Sequence, residues 1–327
     1  MALVSDFGPK GHSLSDHEIN RYFGFGCVFY QSVSYPKNAK TIKSSYKTLD
    51  SDYKKHMKSI NCPTEHIVFD ITQTDFIGNI NTKGTPANCD FDLNGDMLSK
   101  IFELNFKERS LNSRYIPSLL QKSIDRSELV LSIHVRRGDV LEPNIRENRL
   151  VSLSLHLELV KQFLLAKKRF ESTLGGSRSK TTKVFFVSEG ATNNRSISDY
   201  DFVTKQLISV DVVSWLSPFC NEDSSCNAHV FSDSESSSAL HSFTALCRSD
   251  VLFTSASGLS HLAAILCKPK LTVAIPFWCP YNNNIKVVQV PDEMVQFFNR
   301  RNRSEYFYDG RHVRDLMGKE MNLFYNN

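Results

Sequence analysis

Two arginines, a histidine and an aspartate stand together in His134-Val135-Arg136-Arg137-Gly138-Asp139, directly after the apolar run Leu129-Val130-Leu131-Ser132-Ile133. A short apolar run of this kind reads as a buried strand. Charged residues at its carboxyl end stand where open α/β sheets bind ligands, in the crevice beyond the strand ends. Neighbouring guanidinium groups are costly to leave unpaired, and their fork matches phosphate oxygens. The expected chemistry is recognition of a phosphate-bearing ligand. The competing reading is an internal Arg–Asp ion pair at the strand end.

Two further segments carry related chemistry. Gly24-Phe25-Gly26-Cys27 precedes Val28-Phe29-Tyr30-Gln31 and reads as a turn that opens a helix. Glycines let backbone approach an anion closely, and a helix start offers N–H groups to hold it. An ordinary turn is the alternative. Ser255-Ala256-Ser257-Gly258-Leu259-Ser260-His261 follows the apolar run Val251-Leu252-Phe253-Thr254 and opens a helix whose apolar residues reach Leu266. Here too backbone N–H groups and hydroxyls would face a phosphate. A serine N-cap serving the helix is compatible with that role.

The hexapeptide resembles the His-X-Arg-Arg-X-Asp signature of GDP-fucose-dependent fucosyltransferases, the α1,2, α1,6 and protein O-fucosyl groups. Residues 24–27 resemble the Gly-Tyr-Gly-Cys loop of the α1,6 group. The serine segment resembles the Ser-Ser-Phe-Ser region of fucosyltransferases and equally the Ser-Gly-Leu-X-His-Leu-Ala-Ala stretch of ADP-heptose-dependent glycosyltransferases. The motifs fall in the families' order from Gly24 to Ser260, with little similarity between them.

The resemblance implies an α/β, GT-B-like fold with two Rossmann-like lobes. The parallel sheet falls in the carboxyl-terminal lobe, and the amino-terminal lobe is diverged or truncated. It implies inverting, metal-independent transfer of fucose from GDP-fucose to a glycan or glycoprotein acceptor, with no cofactor. Arg136 would contact the diphosphate, Arg137 would be a second cation near the sugar, His134 would face the base, and Asp139 would orient the arginines. The loops would add Gly24, Phe25, Gly26 and Cys27 on one side, and Ser255, Ser257, Gly258, Leu259 and Ser260 on the other. Where these families place a base-reading aspartate, eight residues before a strand-opening Asp, Ser242 stands before Asp250, so either base selection passes to His241, Ser242 or Asp233, or the base is not guanine. An inverting transfer also needs a general base. Glu142 is the first candidate, with Glu147 and Glu189 behind it, because Asn144 occupies the place of the α1,6 group's glutamate. Two alternatives stand: a catalytically inactive nucleotide-sugar-binding protein of the same fold, and a heptosyltransferase-like enzyme using another nucleotide sugar.

The elements around these motifs divide into residues 1–124, carrying the glycine loop, and 125–327, the nucleotide-sugar-binding lobe. Strands are expected at 66–71, 129–135, 183–188, 210–213, 251–254 and 271–275. Helices are expected at 97–106, 116–124, 151–170, 238–248, 259–266 and 292–298. Strands alternating with helices predict a parallel sheet covered on both faces. The lysine-rich stretch 35–59 shows no clear periodicity.

With 327 residues, 41% hydrophobic and 23% charged, the chain has the composition of a globular protein of two ordinary domains. A net charge of +4 suits an anionic donor, and the absence of a dense Lys/Arg stripe argues against nucleic acid. No apolar run is long enough to span a bilayer. The expected location is cytoplasmic, or a Golgi or secretory lumen behind an amino-terminal anchor outside this sequence. Eight cysteines include no Cys-X-X-Cys pair, which argues against structural zinc. Cys247 and Cys267 read as buried thiols, and Cys220 and Cys226 as a pair able to bridge when oxidised. The Asp90-Phe91-Asp92-Leu93-Asn94-Gly95 start of a calcium-type loop lacks a glutamate at its twelfth position, Ile101, and reads as a solvated turn. Asn194-Arg195-Ser196 and Asn302-Arg303-Ser304 are glycosylation triplets.

Overall fold

A computed structural model describes residues 40–44, 67–71, 116, 118–142, 150–175, 179–201, 204–220, 226–232, 239–276, 281, 285–300 and 309–325. The chain divides into two compact units, Met1–Ser113 with Trp278–Asn282, and Arg114–Phe277 with Asn283–Asn327. In the first unit β1 (Lys40–Ser44) pairs in parallel with β2 (Ile67–Ile71), Lys40 opposite Ile67. The second of these strands was expected. The first lies inside the lysine-rich stretch, where no strand was read.

The second unit opens with α1 (Ser118–Asp125) and β3 (Leu129–His134), followed by a 3-10 turn at Gly138–Leu141 and the long α2 (Leu153–Thr173). Next come β4 (Thr182–Ser188), a hairpin of β5 (Ser196–Asp201) and β6 (Gln206–Asp211), and α3 (Val212–Cys220). After β7 (Cys226–Ser232), α4 (Ala239–Cys247), β8 (Val251–Phe253), α5 (Gly258–Cys267) and β9 (Leu271–Ala274) form two further strand–helix steps. The chain then adds β10 (Val287–Gln289), α6 (Asp292–Arg300), α7 (Arg311–Lys319) and α8 (Asn322–Tyr325).

Six strands make one parallel sheet in the order β10-β9-β8-β3-β4-β7. Counted along the chain within the sheet, this is 3-2-1-4-5-6 read from the β7 edge, the doubly wound Rossmann order. The strand order therefore reverses between β3 and β8. Every residue of β3 is buried, as expected for a strand covered on both faces. Its alternate residues Leu129, Leu131 and Ile133 join the core that holds Leu159, Val160 and Phe163 of α2. On the opposite face Ser132 donates its hydroxyl to the Ala245 carbonyl of α4 at 2.8 Å. Phe163 meets Phe253 and Phe324 edge-on at 6.0 and 6.1 Å, tying α2 to both the sheet and the last helix.

Three sequence expectations change here. Residues 210–213 are split: Val210 and Asp211 end β6, while Val212 and Val213 begin α3, because Asp211 accepts from the Ser214 N–H at 2.8 Å and so caps a helix start. β7 and the β5–β6 hairpin were not anticipated. Cys247 and Cys267 are not thiols but a disulfide, their Cα atoms 5.2 Å apart at the adjoining ends of α4 and α5.

That bridge closes a loop of 20 residues, for which chain entropy supplies about 3 kcal/mol. Reduction is expected to lower the unfolding midpoint of the protein measurably, whereas a Cys247→Ser/Cys267→Ser double variant should be insensitive to reductant. An unfolding midpoint unmoved by reductant in the unsubstituted protein would contradict the bridge's contribution.

Candidate functional site

The carboxyl ends of β3 and β8 flank the point where the strand order reverses, and both expected motifs of this unit lie there. The hexapeptide follows β3 and the serine segment follows β8. Because helices return antiparallel to the strands, α2, α4 and α5 all begin at this edge, where their N-termini add positive potential.

Arg137 organises the edge. Its side chain is fully buried and pairs with the equally buried Asp199 of β5, Nη2 to Oδ1 at 2.9 Å. Nε donates to the Ser198 carbonyl at 2.9 Å and Nη1 to the Arg136 carbonyl at 2.6 Å. Asp199 also accepts from the Leu153 N–H at 3.3 Å, at the start of α2. Arg137 was expected to face the donor as a second cation. Its fork is engaged by the hairpin, and Asp199 is the carboxylate that pairs with it. The Asp139 side chain lies outside the described residues.

The backbone around Arg137 is equally constrained. Its N–H donates to Glu189 Oε2 at 3.2 Å. Gly138 adopts φ +38°, a conformation that side-chain-bearing residues rarely take. At Gly190 an added Cβ would stand 2.5 Å from Arg137 Cβ, so only glycine lets the β4–β5 turn pass. Arg136, by contrast, is half-buried, and Glu142 is exposed at the end of the 3-10 turn.

Three buried imidazoles accompany the arginines. His134 is 1% exposed, and burial lowers its pKa to about 4, opposed by the Glu189 charge and reinforced by Arg136 and Arg137. His156, in the first turns of α2, is lowered to about 3 by burial and then by the Arg137 charge. Burial takes His261 in α5 to about 4. All three are neutral at pH 7, so they contribute hydrogen bonds rather than charge. His134 Nδ1 and His156 Nε2 are buried without a hydrogen-bond partner. His156 was not picked out in the sequence. Its signal was a histidine among the leucines of an otherwise apolar helical stretch.

In the serine segment, Ser257 takes the N-cap position of α5 and its hydroxyl accepts the Leu259 N–H at 3.3 Å. Ser260 Oγ accepts from the Ser255 N–H at 3.2 Å, tightening the turn. Ser255 Oγ is buried and unpartnered, while Gly258 and Leu259 are half-exposed on the rim. His241 lies in the first turn of α4, at the same edge. The structure thus brings His134, Arg136, Glu189, His241 and the α5 start to one edge of one sheet. Gly24, Phe25, Gly26, Cys27 and Glu147 lie outside the described residues, as does the acidic stretch 88–96.

A cavity of about 260 Å³ lies at the opposite, amino-terminal edge of the sheet, walled by Glu128, Lys180, Arg248, Asp250 and Lys270. Asp250 there is held by Lys270 at 3.2 Å and by the Val130 N–H at 3.0 Å. It shares no residue with the carboxyl edge. Among the described residues no group of His, Cys, Asp or Glu is arranged to hold a metal ion, and no helix is long and apolar enough to cross a membrane.

Two outcomes test this geometry. Removing one partner of a buried ion pair leaves the other charge uncompensated, so Asp199→Ala should cost about 3–5 kcal/mol in denaturant unfolding. A loss under about 1 kcal/mol would show that the pair does not organise the edge. The histidine shifts set a pH dependence. Because their folded pKa values lie below the unfolded value, the stability they confer is complete above about 6.5 and is lost as pH falls toward 4. The melting temperature should therefore drop across that window, and His156→Asn should flatten the drop. A profile identical in the variant would contradict the assignment.

No protein-family model matches this chain, and no curated protein aligns with it.

Proposed function

We propose that the protein is an inverting, metal-independent glycosyltransferase that takes fucose from GDP-fucose, with a glycan or glycoprotein as acceptor, on a GT-B-like fold. One observation carries the reading: the half-buried Arg136 and the start of α5 follow directly on the two strands that flank the reversal point of a Rossmann-ordered sheet. Open α/β sheets bind nucleotides at that point, and a diphosphate is matched there by a guanidinium and a helix N-terminus.

Each residue then has a task. Arg136 and the N–H groups at Gly258 and Leu259 stabilise the charge that grows on the diphosphate as the glycosidic bond breaks. Neutral His134 offers hydrogen bonds to the uncharged base, with His241 at the same edge as its neighbour. Arg137, held by Asp199, fixes the backbone that presents Arg136. For the base that takes the acceptor hydroxyl proton, the choice is Glu189, ahead of Glu142, because Glu189 contacts the Arg137 backbone at the edge.

A second reading is favoured by the internal commitment of Arg137. With one guanidinium given to Asp199, the edge would bind a nucleotide sugar without turning it over.

The experiment is a donor screen followed by transfer. GDP should raise the melting temperature more than ADP or UDP, by mass action on the folded state. GDP-fucose should be consumed in the presence of glycoprotein acceptors, with Arg136→Ala reducing turnover by at least about 100-fold, the scale of losing one preorganised donor. Stabilisation by ADP alone would move the donor to the heptosyl type. GDP stabilisation with no transfer to any acceptor would select the silent binder.

A further inference from the structure

The β4–β5 connection carries Asn194-Arg195-Ser196, a triplet that the donor chemistry does not use. Asn194 is exposed, and among the described residues no side-chain hydrogen bond holds its amide. Its backbone is fixed: its carbonyl accepts the Val230 N–H at 3.1 Å, Asn193 Oδ1 caps the Arg195 N–H at 2.8 Å, and the Arg195 carbonyl accepts the Val212 N–H at 3.0 Å. The loop therefore presents one amide outward from a rigid support. A saccharide attached there would meet water and leave the sheet untouched. Arg195 at the middle position satisfies the requirement that it not be proline.

An independent observation bears on compartment. The Cys247–Cys267 disulfide joins two helix ends, and such structural bridges persist in oxidising compartments, which are also those where asparagine-linked oligosaccharides are added. We propose that this chain matures in an oxidising, glycosylating compartment and carries an N-linked oligosaccharide on Asn194. In the attachment step Asn194 Nδ2 bonds to C1 of an oligosaccharide carried on a polyisoprenyl diphosphate. The C1–O bond to the diphosphate breaks, the lipid diphosphate leaves, and the amide proton passes to the base of the transferring enzyme. The bridge forms as two thiols surrender two electrons and two protons to a thiol–disulfide oxidant. Neither step depends on the proposed donor chemistry.

The test uses the full chain isolated from its native cells. The protein is alkylated before reduction, then digested with peptide-N-glycosidase in heavy-oxygen water and mapped by mass spectrometry. The expected result is conversion of Asn194 to a labelled aspartate, together with a Cys247–Cys267 peptide pair that separates only on reduction. Unlabelled Asn194, or label at Asn302 alone, would overturn the glycan. Alkylation of both cysteines before reduction would overturn the compartment. In secreted expression, Asn194→Gln should abolish the glycosidase-sensitive mobility shift while Ser196→Thr, which keeps the triplet, retains it. Loss of the shift in both variants, or in neither, would contradict the assignment.

Discussion

The ion pair between Arg137 and Asp199 is the constraint on which the carboxyl edge depends. Both side chains are fully buried, so each charge has the other as its compensating partner. The pair fastens the turn after β3 to the β5 hairpin, and through the Leu153 N–H it also reaches the start of α2. Three segments distant in sequence are thereby held in one arrangement. The cost of desolvating two charges is offset by three further hydrogen bonds to the guanidinium and the carboxylate, and the Arg137 N–H bond to Glu189 adds to the constraint on the backbone that carries Arg136.

This separates two roles that adjacent arginines share by type. Arg137 supplies rigidity, and Arg136 supplies a cation at a half-buried position. The same division runs through the histidines: burial keeps His134, His156 and His261 uncharged, so the positive potential of the edge comes from Arg136 and the helix starts.

Much of the sheet was legible because its strands are buried on both faces. β3, β4, β8 and β9 read as continuous apolar runs, and α2 as a long apolar helix pattern. The hairpin was not. In Ser196-Ile197-Ser198-Asp199-Tyr200-Asp201 polar residues predominate, and a buried aspartate there has meaning only beside an arginine 62 residues earlier. Local pattern does not encode that distance. The motifs after β3 and β8 were found from residue types, yet adjacency could not show that Arg137 pairs with Asp199, a partner brought in by the fold. Cys247 and Cys267 show the same effect, since each sits in an apolar helix that suggests a thiol until α4 and α5 are seen side by side.

The most direct measurement is amide hydrogen exchange on the full chain with and without GDP. The account predicts slowed exchange at residues 135–139 and 255–260 together, the two segments beyond β3 and β8. Protection at neither segment, or confined to the amino-terminal edge around Glu128 and Lys270, would contradict it.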